Sequence, residues 1–203
     1  DGCSQTTITY SDSVTNGCAG TKTIARTWTA TDACGNNSSC VQIITVRDIA
    51  PPSMVCPSNI VLDCPTNTNT NVTGVATAQD DCGSVLISYS DVVTNKCGGT
   101  KVISRLWTAT DQCGNSASCL QTITVRDITP PTISCPANAL LECPATASTN
   151  VTGVATAQHA CGSVSISFAD SVANSCAGAK VITRLWTATD QCGNSASCTQ
   201  TIT

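Results

Sequence analysis

Apolar and polar side chains alternate with a period of two along most of this chain, and no stretch keeps helical periodicity over several turns. The pattern is clearest in one stretch of the middle of the chain. "SVLISYSD" (84–91) puts Val85, Ile87 and Tyr89 on one face, and "KVISRLWTATD" (101–111) puts Ile103, Trp107 and Ala109 on one face. "CLQTITVRD" (119–127) returns with Ile123 and Val125 inward. Upstream, "NIVLDCP" (59–65) alternates Ile60 and Leu62 against Val61 and Asp63, and "VATAQD" (75–80) reads as a short strand of small side chains. Between these lie breakers. "PPSMVCPSN" (51–59) cannot be helical, because its prolines fix the backbone, and is expected as a stiff extended lead-in. "TNTNTNVTG" reads as a polar loop, "NKCGGT" as a turn and "QCGNSAS" as a hairpin loop. Short strands separated by Gly, Pro and Asn turns predict an all-β fold, an antiparallel β-sandwich of immunoglobulin-like type.

The pattern repeats. Trp28, Trp107 and Trp186 stand 79 residues apart, and the cysteines keep the same step without insertion or deletion. "RLWTATDQCGNSASC" occurs at 105–119 and again at 184–198, with a close copy, "RTWTATDACGNNSSC", from Arg26. The expected organisation is a partial repeat over 1–48, a full repeat over 49–127, and a third over 128–203 that lacks only its last strand residues. The linkers "VRDIAPP" and "VRDITPP" are short and stiffened by proline, so the repeats are expected to follow one another as semi-rigid beads. The first repeat starts at its third strand, which leaves an uncovered sheet edge and half a core. Its completion is expected from the preceding stretch of a longer polypeptide, or else from strands donated by a neighbouring subunit.

Composition adds the chemistry. The chain has 203 residues and sixteen cysteines, only 3% aromatic and 11% charged residues, and a net charge of −4. One Trp and about one Tyr or Phe per repeat make a thin core, and burial at about 25 cal/mol per Å2 leaves such a domain marginal. Disulfides at about 2–4 kcal/mol each close that gap, and this cysteine density belongs to oxidising compartments. Zinc does not suit the spacings: C-x5-C and C-x7-C are not zinc-knuckle spacings, no CxxC occurs and one His is present. Without a basic cluster the chain is not expected to bind nucleic acid. No apolar run approaches 20 residues, so direct membrane insertion is not expected, and no signal peptide is visible.

Several motifs together carry a resemblance. CPxN near the repeat start (Cys56, Pro57, Asn59), ATAQD before Cys-Gly (Cys82, Gly83), WTATDxxGN, then SC and an alternating strand ending in D-x-x-P-P, resemble the hyalin (HYR) repeat. They are also similar to immunoglobulin-like repeats of microbial and algal surface proteins. The resemblance implies an immunoglobulin-like sandwich and extracellular adhesion or scaffolding. The sequence departs from the pattern in carrying more cysteines, with Cys97 and Cys113 as additions, so no pairing is carried over.

The pairing is argued instead from strand geometry. Disulfide Cα atoms lie within about 7 Å, while an extended residue advances about 3.3 Å. Cys34–Cys40, Cys113–Cys119 and Cys192–Cys198 each flank a hairpin loop and are expected to bond locally. Cys56 and Cys64 sit at opposite ends of a strand. Alternating strand directions then favour Cys56–Cys82 and Cys64–Cys97, with Cys135–Cys161 and Cys143–Cys176 as their counterparts. Local pairs, Cys56–Cys64 and Cys82–Cys97, are the rival set, and it alone gives Cys3 and Cys18 partners within the chain.

Four further groups invite functional readings. Arg26, Arg105 and Arg184, two residues before each Trp, either present a cation–π ligand surface or pack their stems on that Trp; packing is the simpler account. Asp48 approaching Asp80, Asp81 and Asp111 suggests calcium at the junctions between repeats. The third repeat replaces two of these carboxylates with His159 and Ala160, so turn and capping roles explain the pattern better and no metal or other cofactor is expected. Asn71 and Asn150, and also Asn36 and Asn37, lie in glycosylation sequons. His159 occurs once, and no nucleophile elbow or phosphate loop is present, so no enzymatic site is expected. The sequence therefore points to a structural extracellular protein, a stalk, fibre or filament at the cell surface, partnered by copies of itself or by adjoining repeats. An adhesin recognising glycan or protein through its loops is the alternative.

Overall fold

The computed structural model describes residues 5–142, 144–174 and 179–203. Three strands come first: β1 (Thr7–Asn16), β2 (Lys22–Thr31) and β3 (Asn37–Val46), an antiparallel sheet in that order. The middle of the chain supplies β4 (Ser53–Val55), β5 (Ile60–Asp63), a single helical turn α1 (Thr70–Thr73), β6 (Thr77–Gln79), β7 (Val85–Asn95), β8 (Lys101–Asp111) and β9 (Ser116–Arg126). The last part repeats it with β10 (Thr132–Ser134), α2 (Thr149–Thr152), β11 (Thr156–Gln158), β12 (Val164–Asn174), β13 (Lys180–Asp190) and β14 (Ser195–Ile202). The fold is all-β and disulfide-rich. In the last part the two-stranded sheet β10–β11 packs on the three-stranded sheet β12–β13–β14.

Three local features differ from the sequence expectation. The lead-in after Pro52 is itself a strand: β4 pairs antiparallel with β6, Met54 opposite Ala78. The polar loop contains the turn α1, in which Thr73 is buried. And β5 runs parallel to β9, Ile60 opposite Ile123, rather than antiparallel. The cause of the last is a change of sheet. β4 and β5 are consecutive yet join different sheets, and Pro57, with no N–H to give to a ladder, lies between them.

Chain contacts define two compact units, Asp1–Pro57 with Gly74–Ser90 and Leu106–Gln121, and Ser58–Thr73 with Asp91–Arg105 and Thr122–Thr203. In the second unit Ile103, Ile123, Trp186, Ala188 and Ile202 are buried. The ring of Phe168 lies 5.0 Å from that of Trp186, and the Arg184 guanidinium stands 4.3 Å above the Phe168 centroid. Arg184 also forms a two-pronged ion pair with Asp170 and donates to Thr152 Oγ1 and the Ala147 carbonyl. At 3% exposure it is a strut inside the sandwich and presents no ligand surface. Opposite Arg184 on the next strand, Gln200 accepts from the Trp186 indole N–H and donates to the carbonyls of Ala137 and Thr152.

In the first unit Trp107, Ala109 and Ala76 are buried, whereas the sheet β1–β2–β3 is open on the equivalent face. Trp28 is half-buried, Gln42 is exposed, and Arg26 pairs with Asp12 at 25% side-chain exposure. Val46 is 43% exposed, against 3% for its counterpart Val125. The Asp and Gln partners of the Arg–Trp pair were not anticipated from sequence. Their signal was present: Asp91 and Gln121 each lie fourteen residues from Arg105 and Trp107 respectively, the span of one hairpin.

Candidate functional site

The repeated Asp-x-Cys-Gly-Asn stretch builds a tight turn between two strands of each hairpin. Asp111 accepts from the backbone N–H groups of Cys113 and Asn115 and from the Asn115 side chain. Gly114 occupies φ +90°, a conformation that side-chain-bearing residues rarely adopt. Asp190 and Asn194 repeat the arrangement, as do Asp32 and Asn36. Burial pushes the Asp111 and Asp190 carboxyls up, but their hydrogen bonds outweigh it and hold both below the usual carboxylate range. The turn then reaches backwards: Asn115 donates to the Asp48 carbonyl and Asn194 to the Asp127 carbonyl, both in the linkers.

Those turns carry cysteines that bond to the preceding repeat. In the first unit Cys113 bonds Cys18, 95 residues away, with Cα atoms 5.2 Å apart. In the second unit Cys192 bonds Cys97 at the same separation of 95 residues and a Cα distance of 5.1 Å. A second cross-repeat bond, Cys64–Cys161, lies in the second unit. Beside it, the Gly99 N–H donates to the Cys161 carbonyl at 2.7 Å. Within each repeat Cys56 bonds Cys119, and Cys135 bonds Cys198, both at a separation of 63 residues.

The expected pairings are thereby corrected. Cys113 and Cys119 do not bond each other, nor do Cys192 and Cys198, and Cys34 and Cys40 are free and exposed. The reason is register. Thr31 pairs with Asn37, so Cys34 sits in the turn, whereas Cys40 lies three residues up β3, opposite Trp28. Three extended residues span about 10 Å, beyond the roughly 7 Å a disulfide bridges. The sets Cys56–Cys82 with Cys64–Cys97, and Cys56–Cys64 with Cys82–Cys97, fail as well. Cys135 does not meet Cys161, and Cys82 is free. Both sets assumed that bonds stay within a repeat. Cys18 finds its partner in the next repeat, while Cys3, Cys143 and Cys176 lie outside the described residues.

The junction carboxylates also come together. Asp48, Asp80 and Cys82 bring one ligand atom each within 4.8 Å of one another. The Cys82 thiol is pushed up first by Asp48, then by burial and by Asp80, Asp81 and Asp111. One Asp48 oxygen, Oδ2, is buried without a partner. Calcium takes about six to eight oxygen ligands, and two carboxylates with a thiol are a poor match. At the next junction His159, its side chain 4% exposed, lies 2.8 Å from Asp127 and 3.6 Å from Asp190. His159, standing where the middle repeat has a carboxylate, thus bonds Asp127 and lies beside Asp190. Cys161 and Cys192, near these residues, are held in disulfides and offer no thiolate.

Of the sequon asparagines, Asn71 and Asn150 stand exposed on α1 and α2, and Asn37 is exposed at the start of β3. The Asn36 amide donates to Asp32, so a sugar there would break the turn.

No family model and no curated protein matches the chain. Among solved structures it is similar to human CDH23 EC21-23, at 14% identity and TM-score 0.37 over 89% of this chain and 74% of that one. It is similar to Drosophila N-cadherin EC1-4, at 13% identity and TM-score 0.35 over 97% and 66%. A third is the protocadherin gammaB7 EC3-6 cis-dimer, at 16% identity and TM-score 0.33 over 96% and 66%. The chain spans just under two thirds of that last structure. At TM-scores below 0.5 these likenesses carry no argument about what the chain does.

Proposed function

We propose that this chain is a structural extracellular repeat protein, a length of stalk, fibre or filament at the cell surface whose successive repeats are welded by disulfides. The observation that carries this reading is the recurrence of one cross-repeat bond. Cys18–Cys113 and Cys97–Cys192 use equivalent cysteines one repeat apart, each tying a hairpin turn to the repeat before it. A bond in that place restrains bending between beads in a way that linker prolines alone do not. It also demands an oxidising compartment. The organisation into repeats at 1–48, 49–127 and 128–203 belongs to the same proposal, and the partners it implies are adjoining repeats or further copies. Among the described residues no helix is long and apolar enough to cross a membrane.

Electron microscopy of the native material tests the proposal. Ordered fibres with an axial repeat set by the 79-residue unit are expected. Monodisperse particles that bind a glycan array would move the assignment to an adhesin.

A further inference from the structure

Three free thiols remain among the described residues, Cys34, Cys40 and Cys82, and all three are exposed and lie in the first unit. One repeat further on, their equivalents Cys113, Cys119 and Cys161 are all bonded, to Cys18, Cys56 and Cys64 respectively. Cys56 and Cys64 belong to one short segment, a Cys-x7-Cys stretch with β5 between them. One such segment therefore fastens at two places: to the cysteine opposite the Trp of its own repeat, and to the Cys-Gly cysteine of the next. Cys40 and Cys82 are those two receiving positions, both unfilled.

The sheet beside Cys40 is unfilled too. Gln121 and Gln200 are wholly buried, and Arg105 and Arg184 are 2% and 3% exposed. Their counterparts Gln42 and Arg26 are exposed and half-buried. The groups that cover Arg184 and Gln200 are Thr152 Oγ1 and the carbonyls of Ala137 and Ala147, all from the segment that follows the linker prolines. No described residue plays these parts for Arg26 or Gln42, which bond Asp12 and Trp28 respectively.

We infer that the open face of β1–β2–β3 is a docking site for one extended Cys-x7-Cys segment of the kind found at 51–80, locked by disulfides to Cys40 and Cys82. Its strand lies parallel to β3 against Ile44, as Ile60 lies against Ile123. Its first cysteine bonds Cys40 and its second bonds Cys82. The inference rests on the reading of the chain as a structural array and names the partner of its first repeat. Each bond forms by exchange with a small disulfide such as oxidised glutathione. A segment thiolate attacks the small disulfide and releases one glutathione thiol. The receiving protein thiolate then displaces the second. The two electrons and two protons lost by the protein thiols leave with glutathione. Once one bond has closed, the other follows intramolecularly, at an effective concentration on the order of millimolar.

The test uses the full chain in a glutathione redox buffer with a synthetic peptide of residues 51–80, read by non-reducing peptide mass spectrometry. One peptide per chain is expected, its Cys56 position on Cys40 and its Cys64 position on Cys82. A peptide with Cys64→Ser should be released by reductant at least about a hundredfold more readily, having lost the second link. Capture at Cys34 as often as at Cys40, a Cys34–Cys40 bond, or no capture at all overturns the inference. Loss of capture with Cys18–Cys113 and Cys97–Cys192 still present rejects only the docking site. Absence of those two bonds rejects the array itself.

Discussion

Cys18 and Cys113 are bonded across 95 residues, although Cys119 stands only six residues from Cys113. The bond joins two repeats, so its removal should loosen their junction rather than unfold either hairpin. For a loop of this length the chain-entropy model gives about 4–5 kcal/mol, and measured values centre on about 2–4 kcal/mol. The double substitution of Cys18 and Cys113 to Ser is expected to lower the unfolding free energy by that amount. Denaturant titration under non-reducing conditions measures it. An unchanged midpoint would show that the junction carries no stability.

Gln200 and Gln42 are the same residue of the repeat in opposite surroundings. Gln200→Leu leaves the carbonyls of Ala137 and Thr152 and the Trp186 N–H without their partner. A buried group left unsatisfied costs about 1–3 kcal/mol, so a loss of at least 2 kcal/mol is expected on that basis. Gln42 is exposed, and Gln42→Leu should fall within about 0.5 kcal/mol of the parent. Parallel urea titrations compare the two, and equal losses would contradict the contrast in burial.

Asp170 gives a dependence on acid. The hydrogen bonds from Arg184 hold its carboxyl below the usual carboxylate range, against a smaller opposing push from burial. A carboxyl depressed in the folded state contributes stability above its unfolded pKa and loses it as pH falls through the folded value. The contribution is therefore complete at neutral pH, begins to fall near about pH 4 and is lost as pH drops through the depressed folded value. Asp170→Asn should lower stability at pH 7 and flatten the acid limb of a thermal-melt series. An acid limb as steep as the parent's would remove Asp170 from the account.

Gly98 and Gly114 both hold positive φ, +56° and +90°. A methyl group on Gly98 would come within 2.5 Å of the Cys161 carbonyl oxygen, whereas nothing lies within 4 Å of one on Gly114. Both alanine substitutions meet backbone strain of about 1–3 kcal/mol, but only Gly98→Ala should also push apart the Gly99–Cys161 hydrogen bond. Amide hydrogen exchange at Gly99 is expected to accelerate in Gly98→Ala and to stay unchanged in Gly114→Ala.

The strands and their repetition were legible in the sequence because each depends on neighbours within a few residues. Ile103, Trp107 and Ala109 share a face by the period of an extended chain, and the 79-residue step fixed which residues are equivalent. The tight Asp-x-Cys-Gly-Asn turn was visible for the same reason. The burial of Arg184 was less so, since its partners Thr152 and Asp170 lie 32 and 14 residues away.

The chemistry of the thiols was decided by tertiary structure alone. A disulfide requires two Cα atoms within about 7 Å, and the bonded pairs here stand 63 to 97 residues apart. Spacing along the chain sets a maximum on how far apart Cys113 and Cys119 can be held, but not which distant segment is brought beside them. The sequence by itself determined that beads of strand would recur and that cysteines would recur with them. Tertiary packing determined that Cys18 would join Cys113 and Cys97 would join Cys192, because only packing sets the distance between residues so far apart along the chain.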